Sequence, residues 1–167
     1  MLFDRIRNDA VLSNFIRERC EDEGICVDID PLILPEDCLI LKVDDFYNSL
    51  NVEKRPPSPD CFILVRCKNG GFGLTIVELK NTKEFDLSNL MGKFETCFRD
   101  FMEVRFKKFF FRDFKRIDLY FVSKNEIYRR DLGLRIKFLM DKKFEFRNQT
   151  YKIKPRMPPT SAVKPCY

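Results

Sequence analysis

The chain has 167 residues, with 31 Lys and Arg against 26 Asp and Glu and no histidine. The missing imidazole excludes Ser-His-Asp and Cys-His nucleophile systems, histidine-ligated zinc and every nuclease whose general base is histidine, leaving carboxylate and lysine chemistry. The length suits one domain with one sizeable core, and eighteen phenylalanines bring apolar volume to it without hydrogen-bonding demands.

In chain order, Ile6, Val11, Leu12, Phe15 and Ile16 recur at roughly helical spacing between Phe3 and Cys20, predicting a first helix that ends near Gly24. The apolar run Cys38 to Val43 after Pro35 predicts a strand. Lys54 to Pro59 is a proline-rich linker that delivers the chain stiffly into Asp60, either to hold that acid or to lie over a substrate. Cys61-Phe62-Ile63-Leu64-Val65 and Leu74-Thr75-Ile76-Val77, separated by Asn69, Gly70, Gly71 and Gly73, predict a β-hairpin. Leu87, Leu90, Met91, Phe94, Phe98, Phe101 and Met102 form a helical stripe with Asp86 placed to cap it. Ile117 to Val122 predicts another strand, Asp131 to Met140 a helix, and Phe144 to Lys154 a hairpin turning at Asn148. The expected organisation is a single domain over 1–154 and an extended or disordered proline-rich tail over 155–167.

Charges inside apolar strands carry the functional signal. Asp60 opens one strand of the first hairpin, and Glu78-Leu79-Lys80 continues the other. Burying such groups unpaired costs several kcal/mol, so they call for an ion, an ion pair or a functional role. Strand alternation puts Glu78 and Lys80 on one face. With Arg66 opposite Leu74, Asp60 falls opposite Lys80 and diagonal to Glu78, and two converging carboxylates suit a hard divalent cation. The ordinary alternative is a turn-capping Asp60 and an exposed Glu78–Lys80 pair.

Pro59-Asp60 followed by Glu78-Leu79-Lys80 resembles the PD-(D/E)XK nuclease superfamily, whose fold is restriction-endonuclease-like. The resemblance implies an α/β core of helix, three strands, helix and strand, with a mixed central sheet flanked by helices. It further implies that Asp60, Glu78 and Lys80 are catalytic. Asp60, Glu78 and the Leu79 carbonyl would bind Mg²⁺, for which Mn²⁺ can substitute, while Lys80 assists the attacking water. Members commonly use a further acid, for which Glu18 is the favoured candidate beside Glu21 and Glu23; Asp44 and Asp45 at the end of the first strand are others. The expected activity is endonucleolytic hydrolysis of phosphodiesters, with DNA as the expected substrate. A catalytically silent nucleic-acid-binding or assembly module of the same fold is the alternative. A homodimer is expected by analogy with restriction enzymes and junction resolvases.

From Phe101 onward the chain holds 18 Lys and Arg against 7 Asp and Glu, and before it 13 against 19, so the C-terminal part is the expected phosphate-facing surface. Arg112, Lys115 and Arg116 are candidates there, together with Lys83 and Lys93 near the motif; solvated side chains around core-closing Phe109, Phe110 and Phe111 are the bland alternative. Seven cysteines without a C-x-x-C pair argue against zinc and iron–sulfur sites. Their odd number, with no signal peptide or apolar span, leads to an expectation of reduced thiols in the cytoplasm and no membrane contact.

Overall fold

The computed structural model describes residues 1–81, 86–124, 137, 140–157 and 162–167. In chain order these form α1 (Leu2–Arg7), a 3₁₀ turn (Leu12–Phe15), β1 (Ile16–Arg17), β2 (Cys20–Asp22), β3 (Ile25–Val27), a second 3₁₀ turn (Pro35–Asp37), β4 (Cys38–Lys42) and α2 (Val43–Ser49). The remainder comprises β5 (Cys61–Arg66), β6 (Phe72–Lys80), α3 (Leu87–Thr96) running on as π-helical turns (Cys97–Arg105), α4 (Lys107–Phe110), β7 (Arg116–Ser123), β8 (Lys143–Phe146) and β9 (Gln149–Arg156). The chain is α/β, built on a mixed seven-stranded sheet of order β1-β4-β5-β6-β7-β9-β8, with β2 and β3 in a separate hairpin.

The first predicted helix is much shorter than its spacing implies. Asn8 ends α1, and the Asp9 carboxylate accepts the N–H groups of Val11 and Leu12, both at 3.0 Å, which turns the chain away. Residues to Cys20 then extend, so Glu18 lies beyond β1 and not on a helix. Glu23 and Gly24, both at positive φ, close the β2–β3 hairpin.

The β5–β6 hairpin forms, with its register displaced by two residues from the expected one. Gly70 and Gly71 take left-handed backbone (φ 83° and 81°), closing the turn early enough for pairing to begin at Arg66 with Phe72. A shift of two leaves every side chain on its face. Cys61 pairs with Val77, so the register carries Asp60 opposite Glu78 instead of Lys80.

The sheet is apolar on both faces, as its position between two layers demands. On one face Leu41, Phe62, Leu64, Leu74, Ile76, Leu119 and Phe121 pack against the helices and their phenylalanines. On the other, Ile40, Ile63, Val65, Val77, Leu79 and Val122 lie under the β2–β3 hairpin and Val163. Asp86 caps α3 as expected, accepting Ser88 N–H at 2.8 Å and Asn89 N–H at 3.4 Å. Parallel pairing joins β6 to β7 and β7 to β9, and the β8–β9 hairpin turns at Arg147 and Asn148. The helix expected over 131–140 falls outside the described residues except at 137 and 140.

One sequence expectation is corrected at the cysteines, and the extended alternative holds for the tail's described residues. Cys20–Cys61 and Cys67–Cys166 are disulfides, while Cys26, Cys38 and Cys97 are free. The first bond ties the β2–β3 hairpin to β5; the second anchors the chain terminus beside the β5–β6 turn. Proximity in the fold made these pairs, and no spacing in the sequence reveals them; they remove the basis for expecting reduced thiols throughout. Pro155 and Arg156 belong to β9, and Val163 bridges to Ile29, so the tail's described residues are ordered against the body. No helix among the described residues is long and apolar enough to cross a membrane.

Candidate metal and catalytic site

Asp60 and Glu78 meet where β5 begins and β6 nears its end. Both are almost fully buried, at 5% and 1% exposure. The cleft above them, about 410 Å³, is lined by Asp22, Asp44, Ser58, Lys80 and Lys93 among others. Leu79 N–H donates to Asp60 Oδ2 at 2.7 Å, so the residue between Glu78 and Lys80 fixes the facing carboxylate. The proline-rich linker forms one wall and packs close to α3; a Cβ on Gly92 would lie 3.1 Å from Pro57 Cγ.

Lysines converge on these acids from two sides. Lys93, on α3, places Nζ 2.5 Å from Glu78 Oε1. Lys42, at the end of β4, lies 3.3 Å from Asp60 Oδ1, 3.2 Å from Asp44 Oδ1 and 3.9 Å from Asp22 Oδ2. Asp44 arrives in the first turn of α2, whose start is tied to the site by Val43 N–H donating to the Asp60 carbonyl at 2.9 Å. Asp22 arrives from the β2–β3 hairpin, held close by the neighbouring Cys20–Cys61 bond.

Despite these cations, the buried carboxyls resist ionisation. Burial and the facing Glu78 carboxylate push Asp60 up to about 8, against the pull of Lys42. Burial likewise raises Glu78, opposed chiefly by Lys93, and raises Asp44, opposed by Lys42. Burial alone would lower the Lys42 ammonium, but Asp60, Asp44 and Asp22 together hold it above its ordinary value. This excess of buried negative charge is what a divalent ion relieves.

The donors fit a hard divalent cation. Asp22, Asp44 and Asp60 offer oxygens within 4.8 Å of one another, and Glu78 Oε2 is buried without a hydrogen-bond partner among the described residues. All are carboxylate oxygens, the ligand class preferred by Mg²⁺, Ca²⁺ and Mn²⁺ over softer metals. Lys80 is half-buried, lines the cleft and makes no salt bridge among the described residues.

The structure thus brings Asp60, Glu78, Leu79, Lys80, Asp44 and Lys93 together. It does not bring in Glu18, which is exposed and lines a separate cavity with Ile16 and Ile33. Asp45 points elsewhere and pairs with Arg17 at 2.8 Å. Glu23 reaches the cleft rim, whereas exposed Glu21 pairs with Arg19. The N-terminal acid that converges with Asp44 and Asp60 is Asp22, missed because its segment reads as a helix end. Lys42 was missed too, its signal being a lysine closing the apolar run Leu39-Ile40-Leu41 two residues before Asp44.

Three of the basic candidates lie away from the acids. Arg116 pairs with Gly73 at the start of β6, about 17 Å along the strand from Glu78. It is bound to Asp118 and to the Lys164 and Pro165 carbonyls. Lys115 neighbours Gly71 at the same end, and Arg112 donates to the Phe109 carbonyl and stacks over Phe72. All three lie at the end of the sheet remote from the acids, where Arg112 and Arg116 are held by contacts within the fold and Lys115 is exposed. Phe109 and Phe110 are core residues, while Phe111 is exposed. Lys83 lies outside the described residues. No protein-family model, curated protein or solved structure matches the chain.

Proposed function

We propose that the protein is a Mg²⁺-dependent nuclease of restriction-endonuclease-like fold that hydrolyses phosphodiester bonds in DNA, with Mn²⁺ able to replace Mg²⁺. One observation carries the reading: Asp60 and Glu78 face each other across adjacent strands, buried in a polar cleft, with Glu78 Oε2 unpartnered among the described residues and Lys80 in the cleft lining. The order of α1, β4, β5, β6, α3 and β7 also supports the core that the Asp60 and Glu78-Leu79-Lys80 motif implies, with the short β1 and the β2–β3 hairpin inserted ahead of β4.

Asp60 Oδ1 and Glu78 Oε2 would hold the ion, with the Leu79 carbonyl and Asp44 or Asp22 as further oxygen donors. When bound, such an ion supplies a more acidic water and charge neutralisation on the phosphate. The chain's own contribution is positional. Leu79 N–H and Lys93 fix the rotamers of Asp60 and Glu78. Lys80, two residues along the same strand face from Glu78, orients the attacking water and offers positive charge to the non-bridging phosphate oxygens. Proximity and electrostatic preorganisation of this kind dominate phosphoryl-transfer catalysis.

A second reading has one observation in its favour: Asp60 and Glu78 each already pair with a lysine, as a silent nucleic-acid-binding or assembly module would require. Purified protein incubated with supercoiled plasmid, single-stranded DNA, a branched junction and RNA, in Mg²⁺, Mn²⁺ or EDTA, separates the two. Metal-dependent cleavage of DNA is expected. Binding without cleavage in any metal would establish the silent module instead. Sedimentation of the same samples tests the homodimer expected for two-strand cutting.

A further inference from the structure

Lys42 stands in an unusual place for a buried lysine. Its ammonium lies within 4.0 Å of carboxylate oxygens from three residues on three separate elements, Asp22, Asp44 and Asp60, and its side chain is only 11% exposed. The oxygens of those three acids also converge to within 4.8 Å of one another, the spacing of a cation's ligand shell. A second observation points to a cation at the same cleft: Glu78, 1% exposed, lines it and keeps an Oε2 with no hydrogen-bond partner among the described residues.

We propose that Lys42 is the site's resident counter-cation, a tethered monovalent charge that competes with the divalent ion for Asp60 and Asp44 and so sets the affinity of the metal site. The inference rests on the metal-dependent reading of the same cleft. Asp60 Oδ2 accepts Leu79 N–H and Oδ1 accepts Lys42, so an ion that ligates Oδ1 meets the ammonium at the same atom. The ammonium and the ion cannot share that oxygen without close repulsion. Lys42 therefore swings toward Asp22 on metal entry. Asp22 is the farther and more exposed partner, and it comes from a hairpin covalently tied to β5, so it is always at hand to receive the displaced charge. This arrangement keeps the metal-free cluster neutral enough to fold while making the ion readily exchangeable.

The test is Mn²⁺ binding, read by electron paramagnetic resonance of free ion and by melting shift, on wild type and on Lys42→Met, Lys42→Gln, Lys42→Arg and Glu78→Ala. Removing one positive charge about 4 Å from a divalent ion is expected to tighten Mn²⁺ binding at least about tenfold in Lys42→Met and Lys42→Gln, and not in Lys42→Arg. The metal-free Lys42→Met protein is expected to melt below wild type and to regain more on adding Mn²⁺. Lys42→Gln decides if Lys42→Met does not fold. Equal or weaker binding in the neutral variants, with wild-type binding intact and lost in Glu78→Ala, would overturn the role of Lys42 and leave the metal site standing. No binding in wild type or in the neutral variants would overturn the metal reading and this inference with it.

Discussion

Replacing Asp60 by Asn tests whether the buried carboxylates are crowded for an ion or paired for stability. The change keeps size and an oxygen that can accept Leu79 N–H, so the loss is one charge and the Oδ1 acceptor of Lys42, which retains Asp44. Burial and Glu78 raise the Asp60 carboxyl from its ordinary 3.8 to about 8. A carboxyl held above its unfolded value keeps its proton longer in the folded state. Its stabilisation is therefore full below about 3.8 and declines as the pH rises toward about 8. At about 1.4 kcal/mol per tenfold change, the ionised form carries a ceiling of about 6 kcal/mol. Relaxation and water entering the open cleft reduce this, so about 1–3 kcal/mol is expected. Urea and thermal melts in EDTA at pH 9 are thus expected to show Asp60→Asn more stable than wild type, by about 2–4 °C per kcal/mol, with the gap closing by pH 4. Adding Mg²⁺ is expected to raise wild type and not the variant. A variant less stable than wild type at pH 9 in EDTA would refute the reasoning and make Asp60 a structural partner of Lys42.

Other outcomes follow from the same contacts. Cys20→Ser with Cys61→Ser opens a 41-residue loop and is expected to cost about 4 kcal/mol in a denaturant melt under oxidising conditions, with wild type falling to match once a reductant is added. Burial lifts the Cys38 thiol to about 11, so its iodoacetamide labelling, followed by peptide mass spectrometry, is expected to rise about tenfold per pH unit from pH 8 toward 11. Phe101→Ala removes a fully buried ring that meets Phe46, Phe62, Phe106 and Phe110, at an expected cost of about 3–5 kcal/mol in equilibrium unfolding. Arg116→Gln, by contrast, is expected to lower stability through its lost contacts to Asp118 and the C-terminal carbonyls while leaving the plasmid cleavage rate unchanged.

What the sequence revealed tracks how local the determining forces are. The β5–β6 hairpin, the Asp86 cap, the β7 strand and the Asn148 turn each depend on a few neighbouring residues with strong backbone preferences. All are present, within a few residues of their expected bounds. The face shared by Glu78 and Lys80 was legible because strand alternation survives a register shift of two. The shift itself was not, since it hinged on two adjacent left-handed glycines. The Phe3–Cys20 segment misled because its apolar spacing serves a short helix, a 3₁₀ turn and edge strands packing on one core. Asp22 and Lys42 escaped for a different reason: whatever their local signal, they meet at Asp60 from separate elements, through tertiary placement reinforced by a disulfide. The basic cluster at Arg112 to Arg116 shows the converse, a charge pattern plain in the sequence whose partners belong to the fold.

The most direct measurement is the rate of supercoiled-plasmid nicking in Mg²⁺ by wild type, Glu78→Gln and Lys80→Met, each at a temperature where melting shows it folded. The account predicts cleavage by wild type that stops in EDTA and falls at least about 100-fold in both variants, as expected when a preorganised electrostatic group is removed. Wild-type nicking that persists undiminished in Glu78→Gln and Lys80→Met, or its absence in every metal, would contradict the assignment of this cleft as the active site.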